Sequence, residues 1–296
     1  MLVNAANLDS LRVGFKTSFQ GGLGQADLDW MQIATVIASS TKEQKYGWLG
    51  KIPKVREWIG ARAIQNLMQH DYSIKEKPLE LTIAVDKDDI ETDNLGIYTP
   101  LFQEMGASTG AEFASMVYAQ LAAGFTTNCY DGQFFFDTDH PVLNADGNPT
   151  NVANTDGGAG TPWFLMDVSR AIKPIILQKR KDFEFTSLDK LDDENVFMNK
   201  EFIYGADARA NTGYGFWQMA WGSRQPLTAA NYAIARAALM GMKGDYGKPL
   251  GIKPGLLVVP PALESAGNKI LNSEYAAGGE TNEWKGTAKL LVTPWL

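Results

Sequence analysis

Apolar residues along this chain change their spacing several times, and each change marks an element. Leu79-Glu80-Leu81-Thr82-Ile83-Ala84-Val85 alternates apolar with mostly polar positions. Period two predicts a strand with one buried face. Phe102, Met105, Phe113, Met116, Val117 and Leu121 then recur at helical spacings. Thr99 is placed to cap that helix, Pro100 to open it and Gly124 to close it. The helix predicted over 100–123 would run about 36 Å at 1.5 Å per residue. Its middle, Gly106-Ala107-Ser108-Thr109-Gly110-Ala111, holds only small side chains, so another element is expected to pack close there.

On either side the pattern is weaker. Asn7 or Asp9 can cap a short helix carrying Leu11 and Phe15, broken by Gln20-Gly21-Gly22-Leu23-Gly24. Nothing in these first forty residues forms a core of its own. Residues 41–78 are polar with scattered Trp48, Trp58, Ile64 and Tyr72, and read as a hairpin-like excursion that cannot bury its aromatics alone. From 143 to 162 the chain is mostly Asn, Asp, Gly, Thr and Pro, which predicts an exposed loop. Short strands are expected at 175–177, 196–198, 202–204 and 216–219. Thr228 caps a helix ended by Gly244, and Leu256-Leu257-Val258-Val259 reads as a strand buried on both faces. Pro261 opens a helix with Leu263, Ala266 and Ile270 inward, and 288–292 is a last strand. Mixed helices and strands without a repeat make the fold class α+β.

Composition removes several functions. The 296 residues include 34 acidic and 27 basic ones, a formal charge of −7. Such a chain lacks the positive field of a dedicated duplex-DNA binder. A single cysteine excludes an internal disulfide. Cys129, His70 and His140 are the whole thiol and imidazole supply, too little for a four-ligand Cys/His zinc site in one chain. No basic n-region opens the sequence, and no apolar run approaches the ~18 residues of a membrane span. A soluble product of a reducing compartment is expected, with no membrane partner. Glycine, at 29 of 296 residues, exceeds the usual ~7% and predicts many turns and close backbone approaches. Eight tryptophans suit a core, and equally an interface.

The search for chemistry returns decoys. Gly106-Ala107-Ser108-Thr109-Gly110 spells G-x-S-x-G, but a nucleophile elbow needs a strand before its serine. Ser108 falls mid-helix instead, and His140, with Asp139 placed to orient it, is the only histidine in the right order. Small-residue helix packing explains the motif better than a serine hydrolase using Ser108. Asp137, Asp139 and Asp146 fail the EF-hand pattern, because Pro141 and Val142 stand where the turn must form. Asp86, Asp88, Asp89, Glu91 and Asp93 read as a solvated acidic segment, with cation binding at an assembled interface as the other reading. Lys179-Arg180-Lys181 is a small basic patch and Cys129 a buried structural thiol. No catalytic, cofactor-binding or metal residues are assigned, and no cofactor is expected. A chain without catalytic machinery, with arm and excursion unsupported, suggests an assembly subunit.

Several separated stretches then carry a resemblance. They are Tyr46-Gly47-Trp48-Leu49-Gly50, Glu57-Trp58-Ile59-Gly60 and Asp93-Asn94-Leu95-Gly96-Ile97-Tyr98. Cys129-Tyr130-Asp131-Gly132-Gln133, Phe135-Phe136-Asp137 and His140-Pro141 follow. Ser169-Arg170-Ala171, Gly213-Tyr214-Gly215-Phe216-Trp217-Gln218-Met219 and Gly251-Ile252-Lys253-Pro254 complete the set with Val258-Val259-Pro260. In this order and over nearly the whole length, the chain resembles the major head subunits of Mu-like phages and prophages.

That resemblance implies the tailed-phage major capsid fold of Hong Kong 97 type. Residues 1–40 would be the N-terminal arm, 41–78 the E-loop, and 79–222 the P domain with spine helix 100–123 and exposed loop 143–162. Residues 223–296 would be the A domain core. The implied function is structural and not enzymatic: hexamers and pentamers closing an icosahedral shell around double-stranded DNA. The implied partners are copies of itself, with scaffold, portal and decoration proteins. DNA would be enclosed without sequence-specific binding, as an acidic wall suits. The location would be the virion capsid, preceded by the host bacterial cytoplasm. An encapsulin-like cage sharing the fold is the alternative. Trp48, Trp58 and Tyr72 are the expected subunit contacts.

Overall fold

The protein is described by a computed structural model covering residues 3–47, 49, 72–92, 95–276 and 278–296. Helix α1 (Ala5–Leu23) leads into β1 (Ala34–Ala38) and β2 (Glu43–Lys45), and the chain returns through β3 (Ser73–Lys75) and β4 (Lys77–Asp86). A short α2 (Lys87–Glu91) precedes the long α3 (Tyr98–Ala122). Strands β5 (His140–Leu143), β6 (Pro149–Val152), β7 (Thr155–Gly158) and β8 (Trp163–Met166) come next. The long strands β9 (Ile175–Leu188) and β10 (Glu201–Tyr214) flank α4 (Glu194–Asn199). Then follow β11 (Ala220–Arg224), α5 (Ala229–Met240), β12 (Leu256–Val259), α6 (Glu264–Leu271) and β13 (Lys289–Val292).

Among the described residues two larger sheets form. One has the order β1-β9-β10-β4 and the other β13-β12-β8-β11-β7. The two halves of β9 differ. Ile175 to Gln178 are all buried, whereas the distal positions alternate between half-buried and exposed. The proximal end therefore runs through the main core, and the distal end has one face covered and one in water. β10 alternates along most of its length, burying Phe202, Tyr204, Ala206, Ala208 and Ala210. Helices α1 and α3 cover that face. Phe15, Phe19, Phe102 and Met105 pack there with Tyr204 in a core separate from the main one.

Where α1 crosses α3, the small-residue waist has the expected use. A Cβ on Gly106 would overlap the Phe19 carbonyl oxygen and lie 2.7 Å from the Leu23 nitrogen. One on Gly22 would overlap the Gln103 carbonyl oxygen and lie 2.9 Å from the Ala107 nitrogen. Only hydrogen at both positions lets the two backbones meet. Glycine thus permits the crossing instead of breaking α1, which continues through Gly21 and Gly22 from its N-cap at Asn4.

Other expectations shift. α3 starts at Tyr98, not after Thr99, because a 3-10 turn over Leu95–Ile97 feeds into it. Pro100 still lies in the first turn, where no N–H is needed. The polar stretch 143–162 is not a loop throughout. β5 and β6 form an antiparallel pair, and β7 adds parallel to β11. Asn144 builds the turn, its side-chain oxygen accepting from the Asp146 and Asn148 nitrogens at 3.0 and 2.9 Å. Residues 196–198 are helical, with Val196 inward and Glu194 in the first turn. Residues 217–219 form a 3-10 turn. α5 stops at Met240 with Gly241 as its cap, short of Gly244. Finally, 163–222 divides between sheets: β9 and β10 join β4, while β8 and β11 join β12.

Candidate functional site

The chain on either side of residues 50–71 is tied together by strands β2 and β3. Glu43–Lys45 pairs antiparallel with Ser73–Lys75. The Tyr46 hydroxyl donates to Gln178 Oε1 at 2.9 Å, and the Tyr72 hydroxyl accepts from the Tyr214 backbone N–H at 2.7 Å. Burial pushes the Tyr46 phenol up to about 12 and the Tyr72 phenol higher still. Tyr72 is half-buried against its own chain. Trp48 and Trp58 lie outside the described residues.

A second feature is an apolar end on the four-stranded sheet. Around α4, Phe197 is 83% exposed and Met198 68%, with Leu188 and Leu191 also facing water. Only Val196 of this helix turns inward. Clustered large apolar side chains at a projecting tip mark a surface that gains from a partner.

The third feature is a buried polar cluster on the loop after α3. Asp131 Oδ2 lies 2.7 Å from His140 Nδ1, and the Cys129 thiol donates to Asp131 Oδ1 at 3.0 Å. His140 Nε2 lies 3.3 Å from Asn154 Oδ1, and its ring stacks on Trp217 at 3.9 Å with planes 8° apart. Asn154 is fully buried, and its amide nitrogen faces the carbonyls of Phe135, Trp217 and Ala220. Burial raises the Cys129 thiol far above its ordinary value, and the Asp131 charge adds to this. Burial alone would raise Asp131, but hydrogen bonds from His140 and Cys129 outweigh it and lower that carboxyl. Sequence reasoning placed Asp139 beside His140, whereas Asp139 accepts from Asn151 Nδ2 at 3.3 Å. Asp131 reaches the ring because the chain turns at Gly132, whose φ is +88°. The Tyr130-Asp131-Gly132-Gln133 turn signal was available in the sequence, but its spatial partner was not.

The remaining candidates resolve into structure. The basic patch is internally neutralised: Lys179 meets Asp182 at 2.6 Å, Lys181 meets Asp207 at 2.8 Å, and Arg180 pairs with Glu76. In the acidic run, Asp86 caps α2 by accepting from the Asp88 nitrogen at 2.7 Å, and Asp89 accepts from the Tyr98 hydroxyl. Asp93 lies outside the described residues. Ser108 sits on the exposed side of α3 in mid-helix, so no strand-to-helix elbow presents it. Among the described residues no helix is long and apolar enough to cross a membrane.

The sequence from residue 8 to 296 matches the family described as Mu-like prophage major head subunit gpT. The chain belongs to that family. The major capsid protein of Escherichia phage Mu is 44% identical over 305 residues, covering all of both chains. The Mu-like prophage FluMu major head subunit of Haemophilus influenzae is 43% identical, with 97% of each chain covered. Among solved structures, the procapsid of bacteriophage JBD30 matches with a TM-score of 0.88 at 44% identity, over 99% of this chain and 100% of that one. The JBD30 capsid matches with a TM-score of 0.79 at 33% identity, over 100% and 99%. Membership in the Mu-like head subunit family sets the α+β fold as a phage capsid fold and makes the chain a structural protein, not an enzyme.

Proposed function

We propose that this head subunit assembles into hexamers and pentamers that close an icosahedral shell around double-stranded DNA. The reading rests above all on end-to-end similarity to capsid proteins. The apolar α4 end agrees with it, since a side chain such as Phe197 gains roughly 1.5–3 kcal/mol when fully buried. Residues 1–40 act as the arm and 41–78 as the E-loop. The strands β9, β10 and β4 with α3 serve as the P domain, β1 of the arm adding to their sheet edge, and the sheet β13-β12-β8-β11-β7 with α5 and α6 serves as the A domain. Trp48 and Trp58 meet neighbouring subunits, with the half-buried ring of Tyr72 at the root. The −7 charge limits attraction to enclosed phosphate. Scaffold, portal and decoration proteins are the further partners; a JBD30 capsid has been solved decorated with minor capsid protein trimers.

Electron microscopy of the purified chain tests this. Closed shells are the expected product, with tubes or rings as assembly variants. A monodisperse monomer, persisting when the other head proteins are supplied, would overturn the proposal.

A further inference from the structure

The cluster on the loop after α3 contains more polar chemistry than packing requires. Asn154 cannot be turned over. Its oxygen accepts from the Asp137 N–H at 2.9 Å, and its nitrogen points at three carbonyls, the nearest at 2.8 Å. An acceptor oxygen therefore faces each ring nitrogen of His140: Asn154 Oδ1 at Nε2 and Asp131 Oδ2 at Nδ1. A neutral imidazole carries one proton and can satisfy only one of them. If Nε2–H serves Asn154, the Nδ1 lone pair is aimed at a carboxylate oxygen, and the contact needs positive charge there: a second ring proton or a metal ion in its place. A third donor atom already waits beside it, because Cys129 Sγ, an Asp131 oxygen and His140 Nδ1 lie within 4.8 Å of one another.

We propose that Cys129, Asp131 and His140 form a binding site for a divalent transition-metal ion of the zinc class. Cys129 Sγ, one Asp131 oxygen and His140 Nδ1 are the ligands. A thiolate, an imidazole and a carboxylate together favour zinc over magnesium or calcium. The surroundings have the features of an outer shell. Metal-bound histidines typically give their other N–H to a fixed acceptor, and here Asn154 Oδ1 is that acceptor. Trp217 holds the ring plane. Gly132 is exposed while the Asp131 side chain is only 7% exposed, so the ion enters when this turn opens. Its fourth position is left for water, consistent with a chain too poor in Cys and His for four such ligands. Capture replaces the thiol proton with the metal: the S–H bond breaks, the S–metal bond forms, and the proton leaves to solvent. Metal bonds of 2.0–2.3 Å hold tetrahedral ligands about 3.3–3.7 Å apart. At present Cys129 Sγ lies 3.0 Å from Asp131 Oδ1 and His140 Nδ1 2.7 Å from Asp131 Oδ2, so the carboxylate must turn to offer one oxygen to both, with the contacts opening by about 0.5–1 Å.

Cobalt(II) is the probe, titrated into the purified full chain. Equimolar binding with a thiolate-to-cobalt charge-transfer band and tetrahedral d–d absorption is expected, bleached by added zinc. Cys129→Ser should lose the band. It should weaken binding by more than the 10–100-fold typical of an outer-shell loss. Zinc should raise the melting temperature of the wild type and not that of Cys129→Ser. Asp131→Asn, which keeps the side chain's size, is the second variant should Cys129→Ser misfold, and it should weaken cobalt binding and shrink the zinc-induced shift. A folded wild type that gives no charge-transfer band under excess cobalt would overturn the site. So would a variant matching the wild type in spectrum, affinity and zinc-induced shift. Neither readout depends on shell formation, so failure here leaves the capsid function standing.

Discussion

The crossing of α1 over α3 and the tip around α4 belong to the same half of the molecule and solve opposite problems. At the crossing, two backbones touch through Gly22 and Gly106, and Phe15, Phe19 and Phe102 are almost wholly buried beside them. At the tip, Phe197 and Met198 stand in water. The crossing is finished within one chain. The tip leaves its apolar face open. A shell subunit needs both kinds of surface. It must fold alone before assembly, yet keep apolar area unburied so that association is favourable.

The largest effect on the isolated chain is expected at the crossing. Gly22→Ala places a methyl group against the Gln103 carbonyl, whereas Gly21 next to it has nothing within 4 Å of an added Cβ. Gly22→Ala should destabilise by about 3 kcal/mol or more. Gly21→Ala should stabilise by about 0.5–1 kcal/mol through backbone entropy. Equal shifts in denaturant midpoint for the two would break the account of the crossing.

The β2–β3 pair with Tyr46 and Tyr72 lies between the two extremes and sharpens the comparison. Tyr46 is buried, its phenol pushed up to about 12 by loss of solvent, against about 10 in an unfolded chain. Folding thus holds the proton more tightly. That stabilisation is fully present below pH ~10 and disappears as the pH rises through about 12. Relative to Tyr46→Phe, the wild type should lose about 2–3 kcal/mol across this window. Parallel stability–pH curves for the two proteins would refute it. Tyr72→Phe strips the acceptor from the Tyr214 N–H and should cost about 1–2 kcal/mol in chemical denaturation.

The smallest effect on the chain itself is expected at the tip. Phe197→Ser should change stability by no more than about 0.5 kcal/mol while sharply reducing shell yield by light scattering and microscopy. If instead it unfolds the monomer and spares assembly, the contrast between the two regions is reversed.

Much of this architecture was readable along the chain. The period-two run at 79–85 is β4, the helical spacing after Pro100 is α3, and Leu256–Val259 is a strand with every side chain buried. The small residues of 106–111 announced a close approach before its partner was known. Other short runs misled. Val196-Phe197-Met198 is as apolar as a strand but lies on a helix that buries Val196 and exposes the other two. The polar turn at 144–148 hid a hairpin, because its order comes from Asn144 side-chain hydrogen bonds that composition does not display.

The type of the long periodic elements, the tight waist and the family resemblance were determined by the sequence by itself, since each follows from spacing or residue identity along the chain. Three things were decided only by the tertiary structure. α1 is the element that fills the waist, β8 to β11 divide between two sheets, and Asp131 faces His140 where Asp139 does not. The physical reason is common to all three. Pairings between distant segments depend on how the whole chain buries its apolar surface, and sequence proximity carries no record of that.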